Sequence, residues 1–326
     1  MQDMMGGVFG YEPPQAEAAG SFCDEPCETY ALLNSGRAAL EVQLRNLPLR
    51  PRCVWVPRFI CNTVTEPILR LGLPLRRYRC DHQLLPLLPD DMGEDDVLLL
   101  VNYFGLADER LEAAASAHHG PVLVDATTAL YAPRPDAASG IFYSFRKFLP
   151  VADGGAASSC YPLLRLPEET DDSCERMRFL HLRAERGALA AAAAAQEAED
   201  SLSAPAKRLS PQTLALLGGI DIARAGKRRI DNYRVLHRAL APLNRLELPE
   251  EPPSAPMCYP FVSAIPELRD SLIDHGIALP LYWPEVIDST AAHEQENKLA
   301  RTLLPLPLDQ RYTAQDMERL VKLILG

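Results

Sequence analysis

The chain has 326 residues, 47% of them hydrophobic and 24% charged. That is enough to bury a large α/β core with a smaller companion, and it excludes global disorder. A formal net charge of -11, from 44 acidic and 33 basic residues, gives a surface that repels phosphate backbones and anionic lipid. Neither nucleic acid nor membrane is expected as a partner, although a local basic pocket for a small anion is compatible with that sign.

The opening MQDMMGGVFGYEPP has neither the charged n-region nor the apolar h-region of a signal peptide. No apolar run reaches the ~18 residues of a membrane span. Eight cysteines lie scattered at 23, 27, 53, 61, 80, 160, 174 and 258. Cys23 and Cys27 form the only close pair and lack the second half of a zinc site, so no metal is expected. Reduced thiols in the cytoplasm are the simplest reading.

Residues 1–28, rich in Gly, Pro and acid, read as an N-terminal arm rather than a core element. A helix is expected over Arg37–Asn46, entered through Asn34-Ser35-Gly36. Cys53–Val56 is a short strand stopped by Pro57, Thr63–Leu71 a helix closed by Gly72, and Leu75–Tyr78 a further strand. Asp96–Asn102 is apolar almost throughout, as a buried parallel strand should be. A helix over Glu109–His118 follows, then the strand Val122–Val124 delivering Asp125 at its end, then a strand over Ile141–Phe145. This alternation predicts a mainly parallel sheet with helices on its faces.

Ser173–Ser201 and Gln212–Leu240 read as helical, and in the second Lys227-Arg228-Arg229 reads as a solvated face. Pro249–Pro256 looks like a linker. The remainder ends in an amphipathic helix over Ala314–Leu325. The expected organisation is an arm (1–28), a large domain (29–240) and a smaller C-terminal α/β domain (241–326).

In open α/β sheets, ligands sit in the crevice outside the carboxyl ends of the strands, and three features here suit it. Asn34-Ser35-Gly36-Arg37 offers backbone N–H groups at a helix start, suited to a phosphate; a plain glycine-assisted helix start is the alternative. Asp125, before Ala126-Thr127-Thr128, is a helix cap, the partner of a cofactor's ring nitrogen, or a metal ligand. Lys147, within YSFRKFLPVADGGAA, lies between aromatic and apolar residues. Burial there lowers an amine's pKa and makes it a better nucleophile for a carbonyl; a surface loop lysine is the alternative. Phosphate cradle, strand-end acid and semi-buried lysine, in that order, are what pyridoxal 5'-phosphate (PLP) needs.

The chain also resembles the DegT/DnrJ/StrS aminotransferases, the sugar-aminotransferase branch of the fold-type I PLP enzymes. The resemblance runs through GGVFGYE, LNSGRAAL, VWVPRFICNTVTEPILRLGLPLRRYRCD and LLVNYFG, then VDATTALY, SFRKFLPVADGGA, KRRIDNYRVL and LPLPLDQRYTAQDM. It implies the fold-type I α/β architecture: a large domain with a mainly parallel mixed sheet flanked by helices, and a small C-terminal domain. It implies PLP as cofactor and transfer of an amino group from an amino acid, glutamate or glutamine, to a keto-sugar, nucleotide-linked. Ser35, Gly36, Arg37 and Ser144 would hold the phosphate, Asp125 would pair with the pyridine nitrogen, and Lys147 would form the imine and shuttle the proton. A homodimer with sites at the interface is implied, with Arg208 and the segment around Asn232 reaching the neighbour's cofactor.

Three positions depart from the family pattern. Cys61 stands where an aromatic residue usually stacks on the cofactor ring, and Thr128 where glutamine or histidine contacts its phenolic oxygen. The segment from Ser144 to Lys147 is two residues shorter than usual. Other PLP chemistry on this fold, dehydration or cyclisation, and a non-catalytic regulatory or scaffold protein are the alternatives. Tyr282-Trp283-Pro284 is either substrate-pocket lining or core packing, and His118-His119 a helix-end cap rather than a metal site.

Overall fold

Strands that are apolar on both faces have to be covered on both faces. The computed structural model, which describes residues 4–13, 27–203 and 205–326, meets that requirement with one large sheet. Its strands and intervening helices are β1 (Tyr30–Leu33), α1 (Gly36–Arg45), β2 (Cys53–Pro57), α2 (Thr65–Arg70), β3 (Leu75–Cys80) and β4 (Pro86–Leu87). There follow β5 (Asp96–Val101), α3 (Asp108–Ser116), β6 (Val122–Ala126), β7 (Gly140–Ser144) and β8 (Gly155–Ser159). The sheet order is β1-β8-β7-β6-β5-β2-β3-β4. From β7 to β3 the neighbours run parallel. β8 lies antiparallel to both β7 and β1, and β4 lies antiparallel to β3.

Side chains alternate across the sheet. Val54, Val56, Val97, Leu99 and Leu123 face a core shared with Leu40 and Val42 of α1 and Ile68 of α2. Trp55, Leu98, Leu100, Val122 and Val124 face the opposite side, under Leu111 and Ala115 of α3. The mainly parallel sheet expected from the sequence is present. The antiparallel strands β1 and β8 were not anticipated. Gly155-Ala156-Ala157 shows no alternation, because these small residues let α1 pack directly on β8.

The second half supplies α4 (Arg178–Arg186), α5 (Ala188–Asp200), α6 (Pro211–Leu217), α7 (Ile222–Leu240), β9 (Tyr259–Val262), α8 (Leu268–Asp274), α9 (Pro284–Ser289), α10 (Gln295–Thr302), β10 (Leu303–Leu306) and α11 (Ala314–Leu325). β9 and β10 pair antiparallel in a sheet of their own. Both long helical stretches expected from the sequence are interrupted, the first at Gly187 and the second at Gly218-Gly219. Among the described residues no helix is long and apolar enough to cross a membrane.

Two expectations need correcting. Arg229 is not on a solvated face: it is fully buried on α7. Its guanidinium donates to the carbonyls of Phe148, Pro256 and Met257 at 3.1 Å each and to Gln310 Oε1 at 2.9 Å, and it lies 4.7 Å from the Phe148 ring. The Pro249–Pro256 segment is no free linker. Ser254 and Ala255 are buried, Ser254 Oγ donates to Gly105 O, and Tyr233 donates to Pro249 O. Residues 4–13 of the expected arm are packed as a strap. Met5 pairs with Ile277, Phe9 is buried under Arg311, and Arg183 donates to the carbonyls of Met4, Gly6 and Val8. Cys23 lies outside the described residues.

Arg229 donates to the buried Pro256 and Met257 carbonyls and shares Phe148 O with Gln310 Nε2, so removing it leaves the first two without this partner. Arg229→Ala is expected to cost about 3–5 kcal/mol of unfolding free energy in urea titration. Arg229→Lys should recover only part, since an ammonium cannot reproduce the planar fork.

Candidate active site

The parallel register places the carboxyl ends of β5, β6 and β7 side by side, with Asp125 opposite Val101 and Phe142. Asp125 therefore emerges at the sheet's ligand-binding edge. The chain then leaves β7 at Ser144 and turns tightly. Phe145 and Phe148 are buried anchors, with Phe148 N and Leu149 N both donating to Phe145 O. Arg146 and Lys147, between the anchors, line the crevice. Gly154 closes this turn at φ +107, a conformation that side chains resist. α1 starts at the same edge, where Ser35 Oγ caps it by accepting from Ala38 N at 3.1 Å. Gly36 lies so close to the turn after β6 that a Cβ there would come within 2.8 Å of Thr127 Cγ2.

These elements enclose a cavity of about 270 Å³ lined by Ser35, Gly36, Arg37, Cys61, Asp125, Thr128, Ser144 and Lys147. The structure thus brings these eight residues together, while Arg208 and Asn232, also singled out in the sequence, do not line this cavity. Lys147 Nζ donates to Thr127 Oγ1 at 3.1 Å. Asp125, 3% exposed, accepts from Thr127 N at 2.8 Å. Burial pushes the Lys147 ammonium below the ordinary lysine value, Asp125 opposes that shift, and Arg146 adds to it. Burial likewise raises the Asp125 carboxyl, against the pull of Lys147 and Thr127.

Several placements differ from the simplest expectation. Arg37 is engaged by Glu66 at 3.2 Å and by the Glu199 carboxylate at 2.9 Å, so a bound phosphate would have to share or displace these partners. Thr128 donates to Asn102 O and accepts from Phe104 N, which commits its hydroxyl to holding the β5 and β6 loops together. Cys61 Sγ lies 3.1 Å from Thr63 Oγ1, and the aromatic surface in this cavity comes instead from Tyr282 and Trp283, with Phe142. Tyr282-Trp283 serves both readings, since Trp283 also packs edge-on against Phe59 at 4.9 Å.

Asn232 does not project outward. It is buried, and its amide donates to the carbonyls of Leu308, Asp309 and Tyr312 in its own chain. Arg208 donates to Pro167 O and pairs through its backbone with Leu33 and Thr170. His118 Nε2 lies 3.0 Å from Asp96 O, and no cluster suited to a metal occurs among the described residues. The sequence reading passed over Thr127, Arg146 and Glu199. Thr127 and Arg146 adjoin residues it did single out, but nothing local marks Glu199, which arrives from α5.

No known protein-family model matches this chain, and no curated protein matches it in sequence. Solved structures with the same fold are numerous. A sugar aminotransferase from Micromonospora echinospora superposes with a TM-score of 0.61 at 19% identity, over 91% of this chain and 86% of that one. A DegT DnrJ EryC1 StrS aminotransferase from Brucella abortus gives 0.59 at 18% identity, over 91% and 85%. NtdA from Bacillus subtilis, with the cofactor PMP bound, gives 0.61 at 17% identity, over 91% and 73%. The fold is that of the fold-type I PLP-dependent transferases, as the sequence resemblance implied.

The depressed Lys147 has a consequence for stability. Between its folded value and the ordinary lysine value of about 10.4, the unfolded chain binds the extra proton. Raising the pH through that window therefore favours the folded protein. In urea unfolding of the cofactor-free protein, the stability of wild type relative to Lys147→Met should rise with pH above neutrality. A flat difference would mean that the ammonium is not desolvated.

Proposed function

We propose that this protein is a PLP-dependent aminotransferase. It moves an amino group from an amino acid, glutamate or glutamine, to the keto group of a nucleotide-linked sugar, as a cytoplasmic homodimer. The observation that carries the reading is the enclosed Lys147 amine beside buried Asp125, in a cavity that also contains the start of α1. The sugar acceptor and the cofactor are supported by the structural neighbours, which include a sugar aminotransferase and a protein with PMP bound. The cytoplasm is supported by seven free cysteines among the described residues.

The residues present fit PLP. At Gly36 there is no room for a Cβ, so bare backbone lies at the helix start, where an anion is favoured. Ser35 and Ser144 would add hydroxyls there, and Arg37 a charge. Asp125 is a buried acid able to hold a proton on the ring nitrogen. When bound, PLP supplies the electron sink for the donor's α-carbon. Lys147 would anchor the cofactor, and its amine would carry the proton to and from that carbon. Burial lowers the amine's proton affinity, which favours the neutral form that a base requires. Thr127, hydrogen-bonded to the amine and through its N–H to the acid, fixes the two relative to each other. Tyr282 and Trp283 line the same cavity and narrow it beside this pair.

The test is an absorption spectrum of the purified protein with added PLP, before and after borohydride reduction. A visible band that reduction fixes onto the peptide containing Lys147 is expected. Mixing with glutamate should then convert the bound cofactor to its amine form. Lys147→Ala should lower transamination about a thousandfold. No band at saturating PLP would overturn the reading and bring the scaffold alternative forward.

A further inference from the structure

Beyond Lys147 the crevice opens into a second cavity of about 380 Å³, bounded by the N-terminal strap and by Pro280, Pro305 and Pro307. Three arginines border it, and two of them are committed to fixed structure. Arg229 is held by three backbone carbonyls and Gln310. Arg311 is held by both oxygens of Asp309, at 2.7 and 2.8 Å, and by the carbonyls of Gly7 and Val8.

Arg146 differs from both. It borders this cavity and the one containing Asp125. Among the described residues its ionic partner is the carboxylate of Glu199, near the C-terminal end of α5. That single carboxylate also holds Arg37. Burial pushes the Arg146 guanidinium down to about 10, so it remains charged at neutral pH and needs an anion beside it. A ligand anion arriving here competes with one side-chain carboxylate, not with backbone carbonyls fixed by the fold.

We propose that Arg146 recognises the carboxylate of the amino donor, with Glu199 holding that place when no donor is bound. The proposal rests on the aminotransferase reading. The donor reacts at the carbon that bears both its amino and its carboxylate groups, so the carboxylate must lie beside the Lys147 amine. The cation at that point that is held by a side-chain carboxylate and not by backbone carbonyls is Arg146, and its planar fork matches a carboxylate. Arg37, at the start of α1, is placed for the cofactor's phosphate instead.

The experiment uses PLP-loaded protein and glutarate, a dicarboxylate with no amino group to react, with binding measured by calorimetry. PLP affinity is determined separately for each variant. Arg146→Gln should bind glutarate about tenfold more weakly, about 1.4 kcal/mol, while keeping PLP affinity within about threefold. Arg146→Lys should fall between, and Glu199→Gln should bind glutarate more tightly than wild type. Unchanged glutarate binding in Arg146→Gln, or no glutarate binding by wild type, overturns the proposal. A parallel loss of PLP affinity also overturns it, because Arg146 would then belong to the phosphate cradle. If Arg146→Gln fails to fold, Glu199→Gln decides, and unchanged affinity there overturns the role. Wild type that does not load PLP refutes the aminotransferase reading itself, an outcome distinct from the others.

Discussion

Enclosing an ammonium away from water costs several kcal/mol unless an anion shares the enclosure, and the surroundings of Lys147 answer that requirement. Asp125 provides the negative charge, and Thr127 accepts from the amine while its backbone N–H donates to the acid. The compromise leaves both groups displaced from their ordinary values in opposite directions, the lysine lowered and the aspartate raised. Strongly perturbed ionisable groups concentrate at functional sites. The parallel strands β6 and β7 exist in register to hold this pair at one sheet edge.

The walls around that pair come from distant parts of the chain. α1 abuts Thr127 and the end of β7 through Gly36, the 280–284 segment brings Tyr282 and Trp283, and the strap closes the far side. Arginines fasten these walls: buried Arg229 joins α7 to Phe148 and the 256–257 segment, while Arg311 and Arg183 grip the strap by its carbonyls. Each uses a guanidinium where several carbonyls converge, because one group then satisfies them together. Arg146 differs in kind, since a side-chain carboxylate holds it and a ligand anion can replace a carboxylate, while Arg37 combines two carboxylates with the Glu199 backbone carbonyl.

Much of the sheet was legible in the sequence because its central strands are unambiguous. Asp96–Val101 and Val122–Ala126 are buried along their whole length, and such runs have few other uses. Strands β1 and β8 were not legible, since Gly155-Ala156-Ala157 carries no pattern apart from the helix packed on it. Lys227-Arg228-Arg229 misled for a similar reason. Three adjacent cations on a helix point in three directions, and only the packing of α7 shows that the third points inward. The proline-rich 249–256 stretch likewise reads as a linker until Ser254 and Tyr233 tie it down.

By itself the sequence determined the parallel α/β core, the capped start of α1 and the chain order of cradle, acid and lysine, because these depend on local pattern and spacing. Tertiary structure decided what each charge faces. It committed the Thr128 hydroxyl to Asn102 O, turned Asn232 into its own chain, and carried Glu199 across to Arg37 and Arg146. Electrostatic environment depends on distance in space, and residues 37, 146 and 199 become neighbours only when the chain has folded.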